Sequence, residues 1–221
     1  MLEASQTLKS IVAEYSYDKS ISWKTIINLI EVYRMTQQLE KTWAGKVLTP
    51  VELKQYANFE AGLKTRFTED EKKSFENSWT NLVNKINTNL DQDPKSEFGK
   101  NIAKQVMDLI NGLYCKEHAN LKHSIWNKGF KKDKMDKEHS LNLKSVAWLD
   151  KAIDTYYRCR LFRILDQVDP NVPSKFSKEW NELMEEMYGN SQDLKQSLID
   201  IAITDNQVSV AAKKWLQQFS K

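Results

Sequence analysis

Apolar side chains recur at steps of three and four residues along most of the chain, most clearly between residues 68 and 113. The first half of this stretch carries an apolar stripe formed by Phe75, Trp79, Leu82, Val83, Ile86 and Leu90. The second half carries a facing stripe formed by Ile102, Val106, Leu109, Ile110 and Leu113. Asp93 and Pro94 separate them, and proline cannot continue a helix but suits the first position of the next. The pattern predicts two antiparallel helices packed stripe against stripe, with Asp93 as N-cap of the second.

Two short patterns mark helix starts. Thr68 is followed at the third position by Glu71, and Thr49 is followed at the third position by Glu52. In such a pair the hydroxyl accepts a hydrogen bond from the amide three residues on, and the carboxylate bonds back to the amide of the threonine. A helix is therefore expected after each threonine. Gly62 is expected to end the earlier one.

The remaining apolar stripes predict further helices. A helix capped by Ser20 or Ser22 has an inward stripe formed by Trp23, Ile26, Ile27, Ile30 and Tyr33. Another helix is expected over 115–127, and a long one from about residue 142 to 168, before a rigid turn and three short helices. No stretch alternates with a period of two, so we expect an all-α fold, a globin-like or orthogonal bundle of about eight to ten helices.

Changes in composition divide the chain into four segments. The stretch 129–139 is polar, charged and broken by glycine, which is typical of a linker. It is predicted to separate a helical domain at 41–128 from a C-terminal helical bundle at 140–221. Residues 1–40 are assigned to an N-terminal helix and the helix that follows it.

Overall composition is that of a globular protein in a reducing compartment. Hydrophobic residues make up 40% and charged residues 29% of 221, and two cysteines give no disulfide framework. No apolar run approaches the roughly 20 residues of a membrane span, and the N-terminus lacks the features of a secretory signal. We therefore expect a cytoplasmic protein with no membrane segment. The charges alternate and leave a net +3, which argues against a DNA-binding face on this chain.

The sequence contains no familiar catalytic or metal-binding motif. There is no glycine-rich phosphate loop, GxSxG, HExxH or paired CxxC. His118 and His123 are spaced so that a helix turns them to different sides, and Cys115 with His118 lacks further ligands. We therefore predict no enzyme, no metal site and no cofactor.

Aromatic content is the feature that indicates a binding function. The chain has seven Trp, eight Tyr and eight Phe. Such side chains suit a pocket for a flat hydrophobic ligand, although they suit a core equally well. Tyr114, Trp126 and Phe130 flank the predicted linker, where a cleft between the two halves is expected. The candidate ligand-binding residues are Trp79, Tyr114, Trp126, Phe130, Trp148 and Tyr157.

The two antiparallel helices predicted over 68–113, the central hairpin, carry a series of anchors in a fixed order: Trp79-x-x-Leu82, Leu90-Asp91-Gln92-Asp93-Pro94, Gly99-x-x-Ile102-Ala103 and Leu109-Ile110. This order resembles the effector domain of TipAS-like regulators of the MerR family. Upstream, Ile21-Ser22-Trp23-Lys24-x-Ile26-Ile27-x-Leu29-Ile30 is similar to the segment that follows the dimerisation helix in those regulators. The resemblance covers about residues 2 to 130.

This resemblance implies an effector-sensing domain of a transcriptional regulator. Such a domain would bind a hydrophobic small molecule or antibiotic and signal by a conformational shift, and DNA would be contacted only through a winged-helix domain absent from this sequence. Leu8, Ile11 and Val12 would belong to the end of the helix that pairs two subunits in a homodimer. An ordinary N-terminal helix packed on its own core is the alternative for these three residues.

Covalent capture of a ligand is not implied. Thiopeptide-binding members of the family hold the antibiotic through a cysteine that corresponds to a position near Lys122 and His123, where this chain has no thiol, and Cys115 lies about two turns earlier. Ligand sensing without a covalent bond remains the expectation. The alternative function is a stand-alone α-helical module for protein interaction or ligand sequestration.

Overall fold

The chain folds into helices alone over the part that the computed structural model describes, residues 23–135, 141–168 and 174–219. This confirms the predicted all-α multi-helix bundle. The helices are α1 (Trp23–Leu39), α2 (Trp43–Val47), α3 (Pro50–Arg66), α4 (Glu69–Asn87), α5 (Glu97–Tyr114), α6 (Ala119–Ser124), α7 (Leu143–Leu165), α8 (Ser174–Tyr188), α9 (Gln192–Thr204) and α10 (Val210–Leu216). A π-helical segment, Ile125–Phe130, continues from α6. Within these ranges no helix is both long and apolar enough to cross a membrane.

Both predicted helix starts are confirmed as capping boxes. At α3, the Thr49 amide donates to Glu52 at 2.7 Å and the Glu52 amide donates to the Thr49 hydroxyl at 3.3 Å. Thr68 and Glu71 form the same pair at α4. The predicted stop at Gly62 is wrong, since this glycine lies inside α3, which runs to Arg66.

The connection between α4 and α5, the two helices of the central hairpin, spans residues 88–96 and is longer than its sequence suggested. Ser96, and not Asp93, is the N-cap of α5, with its hydroxyl accepting from the Gly99 amide at 3.3 Å. Asp93 instead accepts the Lys95 amide at 2.9 Å, which makes the turn. The chain then passes so close to itself that a Cβ placed on Gly99 would lie 2.0 Å from the Pro94 carbonyl oxygen. Only glycine fits there without movement of the backbone.

The central core joins the hairpin to α7. Its buried side chains include Val83 and Ile86 of α4, Ile102 of α5 and Leu149 of α7. The predicted linker at 129–139 therefore does not separate two cores, because helices on both sides of it bury their apolar faces together. Gly129 itself is buried at the end of the π-helical segment.

The C-terminal helices pack around the second half of α7. Their core includes Leu165, Trp180, Ile199 and Trp215. Gly189 follows α8 with φ of +52°, the left-handed conformation that glycine commonly adopts just after a helix. The three helices after the turn are confirmed, while the turn itself, 169–173, lies outside the described residues.

Helix α1 packs on α3 through a different face from the one predicted. Val32 is buried against Ala57 and Ala61, whereas Ile27 and Tyr33 of the predicted inward stripe are exposed, Ile27 by 58%. The small alanines of α3 allow α1 to approach along the side that carries Val32. The proposed dimerisation residues Leu8, Ile11 and Val12 lie outside the described residues.

One ion pair fastens the start of α3 to the π-helical segment. Both carboxylate oxygens of Glu52 accept from Lys128 at 2.7 Å, and one also accepts from the Ser124 hydroxyl at 2.6 Å. Burial alone would raise the pKa of this carboxyl, but the hydrogen bonds from Lys128, Ser124 and Thr49 outweigh burial and lower the pKa from 4.5 to about 2. The ionised form is therefore the one that stabilises the fold.

Glu52→Gln is expected to lower the free energy of unfolding by about 2 kcal/mol near neutral pH, since the side chain is 17% exposed and its lysine would lose its counter-charge. Because the pKa is depressed in the folded state, the stabilisation is complete above 4.5 and disappears as pH falls towards 2. Urea unfolding of both proteins at about pH 7 and about pH 3 should show the difference shrink by more than half. Glu71→Gln, in the same capping position without a lysine, is the control. An equal loss in the two variants would contradict a role for Lys128.

Candidate functional site

A cavity of about 430 Å³ opens among α4, α5, α7, the π-helical segment and the end of α8. Five of the six aromatic candidates line it, namely Trp79, Tyr114, Trp126, Phe130 and Tyr157. Aliphatic side chains between them include Val106, Ile110 and Ile153. The volume lies in the range of pockets that hold small organic ligands. The structure thus brings together five candidates that are up to 78 positions apart in the chain.

The π-helical segment forms one wall. Its wider turn, closed by hydrogen bonds over five residues, presents Trp126 and Phe130 side by side, with ring centres 5.4 Å apart. The indole Nε1 of Trp126 donates to the Asp150 carboxylate at 2.9 Å, and Lys131 pairs with the other oxygen of Asp150 at 3.0 Å. These bonds fix the indole on α7, in the lining of the cavity. A helix had been predicted here only to residue 127, and no local signal in the sequence marks the change of pitch.

Trp148, the sixth candidate, lies outside the cavity wall. It is 6% exposed, its Nε1 donates to the Gln92 carbonyl at 2.7 Å, and its ring meets Phe98 edge-on at 6.2 Å. Its role is to hold α7 against the turn of the central hairpin. We leave it out of the candidate site for this reason.

The inner end of the cavity is polar and was not predicted. Lys122 of α6 lines it and donates to the Asn111 side-chain oxygen at 2.6 Å and to the Glu186 backbone carbonyl at 3.2 Å. Burial lowers the pKa of Lys122 to about 8, although the field of Glu186 opposes that change. The Glu186 carboxylate itself accepts from Tyr157 at 3.1 Å and from Arg160 at 2.8 Å. A partly buried ammonium group therefore lies in a cavity whose lining is mostly aromatic and aliphatic.

Two further titratable groups lie near the mouth. Burial lowers the pKa of His123, and the positive charges of Lys122 and Lys131 add to the effect. Asn127 on the next turn is 2.9 Å from the imidazole Nε2. Asp154 of α7 lines the opposite side and is exposed. The mouth thus offers polar groups of both signs, in contrast to the apolar walls.

Comparison with known proteins adds no relative. No family model matches the chain, and no curated protein or solved structure matches it either. The TipAS-like resemblance therefore stays a prediction that depends on the residues quoted for it.

Proposed function

We propose that the protein binds a hydrophobic small molecule in this cavity and serves as the effector-sensing domain of a MerR-type transcriptional regulator. The observation that carries the proposal is the cavity itself, whose aromatic wall comes from several helices. An apolar ligand of matching size would remove apolar surface from water on all of these walls at once. No catalytic group is required for such a role.

Signalling would follow from the number of elements that meet at the cavity. A ligand that contacts α4, α5, α7 and α8 together favours the arrangement in which all four helices touch it at once. It therefore shifts the population of conformers towards that arrangement, by an amount equal to its difference in affinity for the two states. Such a shift is the signal that an attached reader domain would need.

The residues that carry the TipAS-like resemblance support the proposal by their positions. Trp79 and Ile110, two of its anchors, line the cavity. Pro94 and Gly99, two others, meet at the tight turn that sets the angle of the hairpin. Some elements of the resemblance thus belong to the cavity wall and others to the turn, while Leu82 and Ile102 belong to the central core.

Binding is tested with phenylnaphthylamine, a neutral apolar dye that fluoresces when it leaves water. We expect saturable binding of one dye per chain, and at least about ten-fold weaker binding by Ile110→Trp, whose larger ring would occupy the cavity. Ile201→Trp is the matched control, since Ile201 is 64% exposed on α9. Absence of saturable binding, or equal binding by the two variants, would contradict the proposal.

The regulator half of the proposal has its own test, the genomic reading frame around this sequence. A winged-helix sequence in the same frame upstream supports a transcriptional regulator. A frame without one would leave ligand binding intact but remove the link to transcription.

A further inference from the structure

Lys122 is a partly buried cationic side chain in the lining of the cavity. An ammonium group has three N–H donors, and two of those of Lys122 go to uncharged oxygens, Asn111 Oδ1 at 2.6 Å and the Glu186 carbonyl at 3.2 Å. Among the described residues, the third donor has no hydrogen-bond partner, and the side chain lines the cavity. A buried charge is costly unless an opposite charge or several dipoles compensate it. The protein supplies these two dipoles and, from beyond ion-pair distance, the charge of Glu186, which is itself paired with Arg160.

Two carboxylates near Lys122 and the cavity are already engaged elsewhere. Glu186 pairs with Arg160 at 2.8 Å, and Asp150 pairs with Lys131 at 3.0 Å. Over the part of the chain that the structure describes, no carboxylate lies within ion-pair distance of Lys122. The positive charge at the cavity end is therefore available to a ligand.

We propose that the ligand is an organic acid, with an aromatic or aliphatic body against the cavity wall and a carboxylate or similar anionic head bonded to Lys122. This inference rests on the proposed ligand-binding function and specifies its chemistry. A charged hydrogen bond in a site shielded from water is stronger than the same bond at the surface, so the head contributes affinity as well as orientation. The body then lies along Tyr157, Ile110 and Trp126 towards the mouth.

The arrangement makes binding of the acid depend on pH. Since burial lowers the pKa of Lys122 to about 8, the amine is charged at neutral pH and loses its proton as pH rises above that value. Glu186 from α8, Tyr157 from α7 and His123 from its own helix face it, while α5 contributes the uncharged Asn111. Burial raises the pKa of Tyr157 and lowers that of His123, so neither changes its charge in the same interval. A loss of affinity for the acid as pH rises above about 8 therefore reports deprotonation of Lys122.

The test uses two dyes with one skeleton, the anionic anilinonaphthalene sulfonate and the neutral phenylnaphthylamine. We expect the protein to bind the sulfonate at least about ten-fold more tightly, and a rise from about pH 7 to about pH 9 to weaken the sulfonate alone. Lys122→Met should remove the preference and keep the neutral dye within about two-fold, which also shows that the variant is folded. Lys122→Arg should restore the preference, and Lys54→Met, on the exposed side of α3, should behave as the unaltered protein.

The possible results distinguish a failure of the acidic-head proposal from a failure of the ligand-binding proposal. Binding of the neutral dye without a preference for the sulfonate, or a preference that survives Lys122→Met, would overturn the acidic head while leaving the cavity as a ligand site. Failure of both dyes to bind the unaltered protein would overturn both proposals.

Discussion

Replacing Gly99 by alanine is expected to lower the free energy of unfolding by about 3 kcal/mol, because the added methyl group has no space. Its carbon would lie 2.0 Å from the Pro94 carbonyl oxygen and 2.5 Å from the carbonyl carbon, so the backbone of the turn would have to move. That turn is held by the Ser96 hydroxyl, which donates to the Asp93 carbonyl at 2.6 Å. Urea unfolding followed by circular dichroism measures the loss.

Gly112→Ala is the matched control on the same helix. A Cβ at Gly112 would meet no atom within 4 Å, and its backbone takes no positive φ. The substitution should therefore raise stability by about 0.5 kcal/mol, since alanine restricts the unfolded chain and favours the helix. Two substitutions of the same kind in α5 are thus expected to act in opposite directions. A loss of equal size in both would show that the close approach at Pro94 is not what limits Gly99.

Ile199→Ala is expected to cost about 3 kcal/mol, the usual loss for removing a large aliphatic side chain from a packed core. Ile199 is 4% exposed and belongs to the core that holds Trp180 and Trp215. Ile201, two positions on in α9, is 64% exposed, and its replacement by alanine should change stability by less than about 0.5 kcal/mol. Thermal unfolding of the pair provides the measurement. Similar losses at both positions would mean that α9 faces the core through another side.

Local chemistry explains why most of the helices were predictable. The capping boxes at Thr49 and Thr68 are complete within four residues, so their physical cause lies entirely in the sequence. Helix ends were harder to predict from the sequence. Gly62 resembles a helix stop because glycine readily adopts a positive φ, but in the structure its φ is not positive. Whether a helix continues past such a residue depends on packing against other helices, whose residues come from distant parts of the chain.

The orientation of a stripe also depends on the partner. Ile27, Ile30 and Tyr33 form a regular apolar stripe, yet all three are exposed. The side that carries Val32 meets α3 instead, because the alanines at 57 and 61 leave room for close packing. A helical wheel ranks faces by hydrophobicity, whereas the fit between two surfaces selects the one that is buried.

The aromatic half of the candidate site followed from the sequence, and the polar half did not. Tyr114, Trp126 and Phe130 were chosen as large rings beside a break in the helical pattern, and all three line the cavity, while their part in ligand binding stays a prediction. Lys122 was missed because its hydrogen-bond partners lie 11 and 64 residues away and share no spacing with it. A contact assembled from three elements leaves no pattern within any one of them.

The two exposed cysteines offer a way to watch the cavity walls without altering the chain. Cys115 follows Tyr114 at the end of α5, and Cys159 lies on the exposed side of α7, so each thiol is carried by a helix that lines the cavity. Nitroxide or fluorophore labels attached to this natural pair would report the separation of α5 and α7 before and after a ligand enters.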